Sequence, residues 1–119
     1  MTRARGDGYE DRAVLWLVER GWEILRRNYR DGPREIDVVA SRAGVVAFFE
    51  IKGRRSLDHG HPLEAIGFRK RRDVERAAGR WIRETRPGAV IFRFDALALI
   101  DRPGGWQITH VPDAWRLGE

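Results

Sequence analysis

The chain has 119 residues and is 42% hydrophobic, enough for one closed core and too little for two. Its 23 basic and 18 acidic residues leave a formal charge of +5, which calls for an anionic partner. With no cysteine, disulfides, thiolate metal sites and cysteine nucleophiles are excluded. No apolar run approaches the roughly 20 residues of a membrane span, and the polar start Met1-Thr2-Arg3-Ala4-Arg5-Gly6 has no signal-peptide core behind it. A single cytoplasmic domain over residues 1–119, without a membrane partner, is expected.

In chain order, Asp7-Gly8-Tyr9-Glu10 has capping-box spacing ahead of an apolar-periodic run. Ala13, Val14, Trp16, Leu17 and Val18 share one helical face, and Gly21 is the stop. Residues 22–29 alternate loosely as a first strand, and Arg30-Asp31-Gly32-Pro33 reads as a turn. A second strand runs from Glu35 to Ser41 with Ile36, Val38 and Ala40 on one face. Arg42-Ala43-Gly44-Val45 turns the chain into a third strand, Val46 to Lys52. After a polar loop from Gly53 to His61, Pro62 suits a first helical position. The helical pattern continues to Glu84 with a break near Gly67, and Arg86-Pro87-Gly88 ends it. Val90 to Ile100 and Trp106 to Val111 are the last strands, joined through Arg102-Pro103-Gly104-Gly105. The order αβββαββ predicts an α/β (α+β) domain, a central mixed five-stranded sheet flanked by helices.

The chemistry lies in Glu35-Ile36-Asp37-Val38-Val39 and Phe48-Phe49-Glu50-Ile51-Lys52. A turn over residues 42–45 puts Asp37 across from Glu50, with side-chain roots about 5 Å apart. Lys52 shares the Glu50 face, because side chains alternate along a strand. Two carboxylates this close repel unless a cation lies between them, and such oxygen ligands suit Mg²⁺ or Mn²⁺. Lys52 could then touch a substrate phosphate or the attacking water, giving metal-assisted hydrolysis. The composition singles out this lysine: of the 23 basic residues only Lys52 and Lys70 are not arginine, and lysine is the compact, pKa-tunable cation of the two. The ordinary alternative is a salt-bridge ladder on a solvated sheet face, against which the apolar run Val45 to Phe49 argues burial.

Asp37 followed at a distance by Glu50-Ile51-Lys52 resembles the PD-(D/E)-x-K nucleases, whose core is the restriction-endonuclease-like fold. The wider set looks like the YraN family: Gly8 and Glu10 with Ala13 and Leu17, Gly21-Trp22, Asn28-Tyr29-Arg30, Glu35-Ile36-Asp37, Phe49-Glu50-Ile51-Lys52 with Arg54, Pro62 with Glu64-Ala65, Lys70, Ala77-Ala78 and Arg93-Phe94-Asp95. These are small bacterial proteins regarded as predicted endonucleases and similar to archaeal Holliday-junction resolvases. The resemblance runs from about Gly6 to Ile100. It implies Asp37 and Glu50 as metal ligands with the Ile51 carbonyl as a third, Lys52 as the residue that positions or activates water, and Glu10 as an acidic group joining from the first helix. It also implies a two-fold homodimer by analogy. Two positions depart from the family pattern: Arg34 replaces the glycine before Glu35, and Gly53 follows the motif lysine where a small polar residue is usual. Arg34 either crowds the backbone near the metal or adds a phosphate contact.

Arg69, Arg72, Arg76, Arg80 and Arg83 recur at three- and four-residue spacing and make one basic stripe on a helix. The stripe either holds phosphates or is a solvated face paired with Asp73, Glu75 and Glu84. Lys70 falls on the apolar face with Ile66, Val74, Ala77 or Ala78 and Trp81, so it either snorkels out at the edge or reaches toward the carboxylates. The expected nucleic-acid contacts are Arg34, Arg54, Arg55, Arg69, Lys70, Arg72 and Arg76. Glu35 shares a face with Asp37 and either supports it or partners Arg34, and His59 and His61 give a weak zinc signal and read better as loop residues that approach the substrate. Arg93 with Asp95 reads as a structural ion pair, and the five tryptophans as core and edge filling. The expectation is Mg²⁺- or Mn²⁺-dependent hydrolysis of a DNA phosphodiester, branched DNA being the substrate the resemblance suggests. The rivals are a nuclease scaffold that grips nucleic acid without cutting, and a structural or assembly protein.

Overall fold

A computed structural model describes residues 4–55 and 60–119, the first four of them by backbone alone. The elements are α1 (Ala4–Glu19), β1 (Glu23–Asp31), β2 (Arg34–Arg42), β3 (Val45–Arg54), a 3₁₀ turn at Pro62–Ala65, α2 (Phe68–Thr85), β4 (Ile91–Arg102) and β5 (Gly105–Trp115). The strands form one sheet in the order β1-β2-β3-β4-β5. All neighbours are antiparallel except β3 and β4, which run parallel because α2 carries the chain back between them. This is the mixed five-stranded α+β architecture the sequence predicts. None of the described helices is long and apolar enough to cross a membrane.

One helix covers each face. Ala13 and Leu17 of α1 pack with Trp22, Val38, Ala40, Ala47, Phe49, Ile51, Leu97 and Leu99. On the other face Val74, Ala77, Ala78 and Trp81 of α2 pack with Tyr29, Ile36, Val39, Val46, Phe48 and Trp115. The alternation of β3, with residues 46 and 48 to α2 and 47, 49 and 51 to α1, lets a strand buried on both sides feed two cores. Phe48 meets Trp81 edge-on at 5.7 Å and Phe94 at 5.8 Å, contacts that contribute about 0.5–1.5 kcal/mol each beyond area burial.

Local chemistry sets the joints. Ala43 and Gly44 both take positive φ, 51° and 79°, the two-residue turn whose twist matches the flanking strands. It fixes the register from Arg42–Val45 to Val38–Phe49. The amides of Gly21 and Trp22 close α1 onto Val18 and Leu17, a Schellman end with Gly21 at a φ of 87°. Pro62 opens the 3₁₀ turn, and the chain breaks at Ile66-Gly67 before α2, as the sequence suggests.

Three expectations are corrected. Helix α1 begins at Ala4, so Asp7-Gly8-Tyr9-Glu10 lies within the helix and does not cap it. Val18 is half exposed on the outer side of α1, because the Ala13–Leu17 line already fills the contact with the sheet. Ile36 does not share a face with Val38 and Ala40. It joins Tyr29 and Val39 under α2 while those two face α1, so the alternation of β2 breaks at Asp37.

Candidate active site

That break builds the site. The β2–β3 ladder ends at Val38–Phe49, and the next level brings Asp37 and Glu50 together. In a continued ladder Ile51 would pair with Ile36; instead its N–H donates to Asp37 Oδ2 at 2.8 Å. The Asp37 carboxylate takes the place of a strand, and β2 and β3 fork there. N–H and C=O of one residue point to the same side of a strand, so the Ile51 carbonyl faces the same fork. Asn28 lies across from Asp37 on β1, between the paired levels Arg27–Val38 and Tyr29–Ile36. Its φ of 52° is a left-handed backbone in mid-strand, where asparagine is one of the few tolerated residues. Both strands turn out of alternation at one level, a device typical of sites that re-aim a side chain.

Burial makes the carboxylates expensive. Glu50 is 2% exposed and Asp37 8%, and Glu50 Oε2 has no hydrogen-bond partner among the described residues. Burial, then the hydrogen bond and repulsion from Asp37, push the Glu50 pKa from 4.5 up to about 9, against the pull of Lys70 and Lys52. Lys70 Nζ stands 3.4 Å from Glu50 Oε2, close enough for charge attraction without a directed hydrogen bond. Its own pKa is lowered by burial but raised overall by Glu50 and Asp37. So Lys70 reaches the carboxylates and does not snorkel away. Both lysines of the chain act on Glu50: Lys70 from α2, and Lys52 from two places along the same face of β3.

Glu10 faces this group from α1. Burial first, then Asp37 and Glu35, raise its pKa to about 7, while Arg27 and Asn28 oppose the shift. Its Oε1 is buried and has no hydrogen-bond partner among the described residues. Helix α1 is held close by Tyr9, whose ring lies on Gly53: a Cβ there would come within 2.1 Å of the ring. This accounts for the glycine after Lys52. Among the described residues no three His, Cys, Asp or Glu side chains stand close enough to hold a metal by themselves. The hard oxygen donors and the unpartnered Glu50 oxygen suit Mg²⁺ or Mn²⁺, which ordinarily complete their shells with water and substrate oxygens. The Lys70 ammonium is the stand-in cation in the present arrangement.

The arginines divide. Arg34 points toward Asp31 at 3.8 Å and Asp73 at 3.7 Å; Glu35 pairs across the strand with Arg30 at 3.4 Å rather than with Arg34. Arg72 bonds Glu75 at 2.6 Å, and Arg80 bonds Glu84 and Asp31, each at 3.0 Å, so part of the stripe is an ion-paired face. Arg55, Arg69 and Arg76 are exposed, and Arg54 is half-buried at the end of β3, its Nε without a partner among the described residues. His61 accepts from the Leu63 amide at 3.2 Å and caps the 3₁₀ turn; His59 lies outside the described residues. Away from the fork, Asp95 is fully buried and accepts both Arg93 contacts at 2.8 Å, His110 Nε2 at 2.8 Å and the Asp113 amide at 3.0 Å. Arg93 with Asp95 is thus the structural pair the sequence suggests.

Sequence reasoning missed Asn28 and Tyr9 as parts of the site. An asparagine inside a strand pattern is a usable signal for left-handed backbone, whereas nothing local marks the tyrosine that covers Gly53. The profile of uncharacterised protein family UPF0102 matches residues 9–99, which span Glu10, Asn28, Asp37, Glu50, Lys52 and Lys70. Relatives described as UPF0102 proteins include one from Chloroherpeton thalassium, 41% identical over 97 residues covering 82% of this chain and 75% of the relative. One from Trichlorobacter lovleyi is 39% identical over 118 residues, 98% of this chain and 93% of the relative. Another from Rhodococcus opacus is 39% identical over 113 residues, 94% and 96% of the two chains. With the match running from the first helix through the fourth strand, and the YraN-like motifs from Glu10 onward falling inside it, this chain belongs to the uncharacterised protein family UPF0102.

Proposed function

We propose that this protein is a divalent-metal-dependent endonuclease acting on DNA phosphodiester bonds, with branched DNA as the substrate class its resemblance suggests. The observation that carries the reading is the fork: two adjacent buried carboxylates, Asp37 and Glu50, with an unpartnered oxygen and both lysines of the chain gathered on them. A buried acidic pair with so few neutral partners is costly to a fold, and such cost is typical of working sites. Asp37, Glu50 and the Ile51 carbonyl would hold Mg²⁺ or Mn²⁺, which supplies Lewis acidity to the phosphodiester and eases deprotonation of water. Lys52 orients the water or the scissile phosphate, and Glu10, whose pKa lies near 7, exchanges protons at the edge of the site. Arg54, Arg55, Arg69 and Arg76 supply backbone contacts. A two-fold homodimer belongs to the same reading.

The test is cleavage of labelled duplex, single-stranded, flap and four-way-junction DNA in Mn²⁺ by wild type and Lys52→Ala. Cutting that disappears in the variant supports the nuclease. A parallel melt should show Mn²⁺ raising Tm in wild type and not in Asp37→Asn. The second reading, a nucleic-acid-binding module without catalysis, has its own observation: the Lys70 ammonium already stands against Glu50 Oε2 at 3.4 Å. It predicts salt-dependent DNA binding with no cutting and no metal effect on Tm.

A further inference from the structure

We infer that Phe68, at the start of α2, is a stacking platform for an unpaired nucleobase of the substrate, resting on the nuclease reading and narrowing its substrate class. A lone exposed apolar side chain is ordinary; Phe68 is distinguished by its company. Its ring is 60% exposed, and the Arg72 guanidinium lies over it at 4.3 Å from the centroid. Arg72 is itself fixed by Glu75 at 2.6 Å, so the stack is held in place before any ligand arrives. Two residues on, Lys70 contacts Glu50, so the helix that carries the ring also reaches the fork.

The surroundings define the occupant. Four consecutive cations, Arg69 to Arg72, sit in the first turns of α2 with no acidic residue in the first turn. That is the wrong sign for the positive end of a helix, and Gly67 offers no side-chain cap. Lys70 and Arg72 already lean on Glu50 and Glu75, and an anionic chain offsets the remaining charge of Arg69 and Arg71. A flat apolar ring set among those cations matches a ligand that carries phosphates and planar faces together, which is a nucleic-acid strand. In an intact duplex the faces of the bases are already stacked on one another, so only an unpaired base can lie on Phe68. Exposed Arg69 and Arg76 then meet phosphates of the same strand. The implied substrate has single-stranded character, as in a flap, a junction centre or a free strand.

The experiment is fluorescence anisotropy in EDTA, where nothing is cut, with labelled single-stranded and blunt duplex DNA. Phe68→Ala should weaken single-strand binding about tenfold, the usual loss of one base–aromatic stack. Duplex binding and the salt slope should stay as in wild type, because no phosphate contact is removed. Phe68→Trp should restore the single-strand affinity. Both variants should melt like wild type, since the residue is on the surface. If Phe68→Ala binds single strands as tightly as wild type, or loses both DNAs equally, the platform is refuted while the nuclease reading stands. A wild type that binds neither DNA overturns both.

Discussion

Replacing Glu50 by glutamine should stabilise the protein, and the size of the gain should track pH. Glutamine has nearly the shape of a protonated glutamate. Folded, Glu50 keeps its proton up to about pH 9; unfolded, it releases it near 4.5. The folded-state pKa is the raised one, so the stability Glu50 contributes is fully present below 4.5 and is lost as pH climbs toward 9. Each pH unit in that window costs about 1.4 kcal/mol. At pH 7 the full shift gives about 3 kcal/mol, and relaxation around a buried charge reduces this to about 2–3 kcal/mol. With an unfolding entropy of about 2.1 cal/mol/K per residue, that is a rise in Tm of about 8–12 °C. The assay is thermal melting of wild type and Glu50→Gln at pH 5, 7 and 8.5, without divalent metal. The difference should be small at pH 5 and widen steadily. Equal melting points at pH 8.5, or an offset that does not change with pH, would refute the assignment of Glu50 as a strained, proton-holding carboxyl. The same variant should lose the Mn²⁺-induced rise in Tm, so one substitution reads both the cost and the use of the group.

Gly53→Ala drives a methyl group into the Tyr9 ring and should destabilise by about 1–3 kcal/mol in urea unfolding; with Tyr9→Ala added, the combined loss should be smaller than the sum. Asn28→Gly keeps the left-handed backbone available and should stay within about 1 kcal/mol of wild type in the same assay, whereas the β-branched Asn28→Val should cost about 2 kcal/mol or more. Burial raises the Asp95 pKa, but His110, Arg93 and the Asp113 amide together hold it below its ordinary 3.8. Its folded pKa is the depressed one, so its contribution is present above pH 3.8 and is lost as pH falls below that. Asp95→Asn should therefore cost about 3–5 kcal/mol at pH 7 by leaving Arg93 unpaired. Denaturant titrations at pH 7 and pH 3 should show the deficit shrinking in acid.

How far the sequence could be read depended on how local the cause was. The Ala43-Gly44 turn fixes the hairpin register within ten residues, so the Asp37–Glu50 level followed from counting. Glu50-x-Lys52 is a same-face pair on any strand, so the lysine beside the carboxylate was equally legible. Lys70 was half legible, because its line on the apolar side of α2 was plain but its partner, twenty residues earlier, was not. The fork was hidden. Alternation predicts Ile36 beside Val38, and only the left-handed Asn28 on a neighbouring strand, with the Asp37 carboxylate bonded to Ile51 N–H, turns it to the other core. The partners of Arg34 were equally out of reach, since Asp73 arrives from a helix some forty residues later.

The order of the sheet has a kinetic consequence. Each of its five strands meets at least one neighbour through a short turn, but β3 and β4 join only after α2 has crossed between them. Hairpins close quickly and locally, and the parallel crossover is the pairing with the greatest loop cost. Asp37 and Glu50 can therefore meet early, while still hydrated, on a nascent β2–β3 hairpin. Their desolvation is completed when Ala96 of β4 pairs beside Glu50 and α2 delivers Lys70. The electrostatic burden of the site thus falls on the closing step, after most of the local structure exists. Relief of that burden should slow the unfolding limb of a chevron far more than it quickens the folding limb.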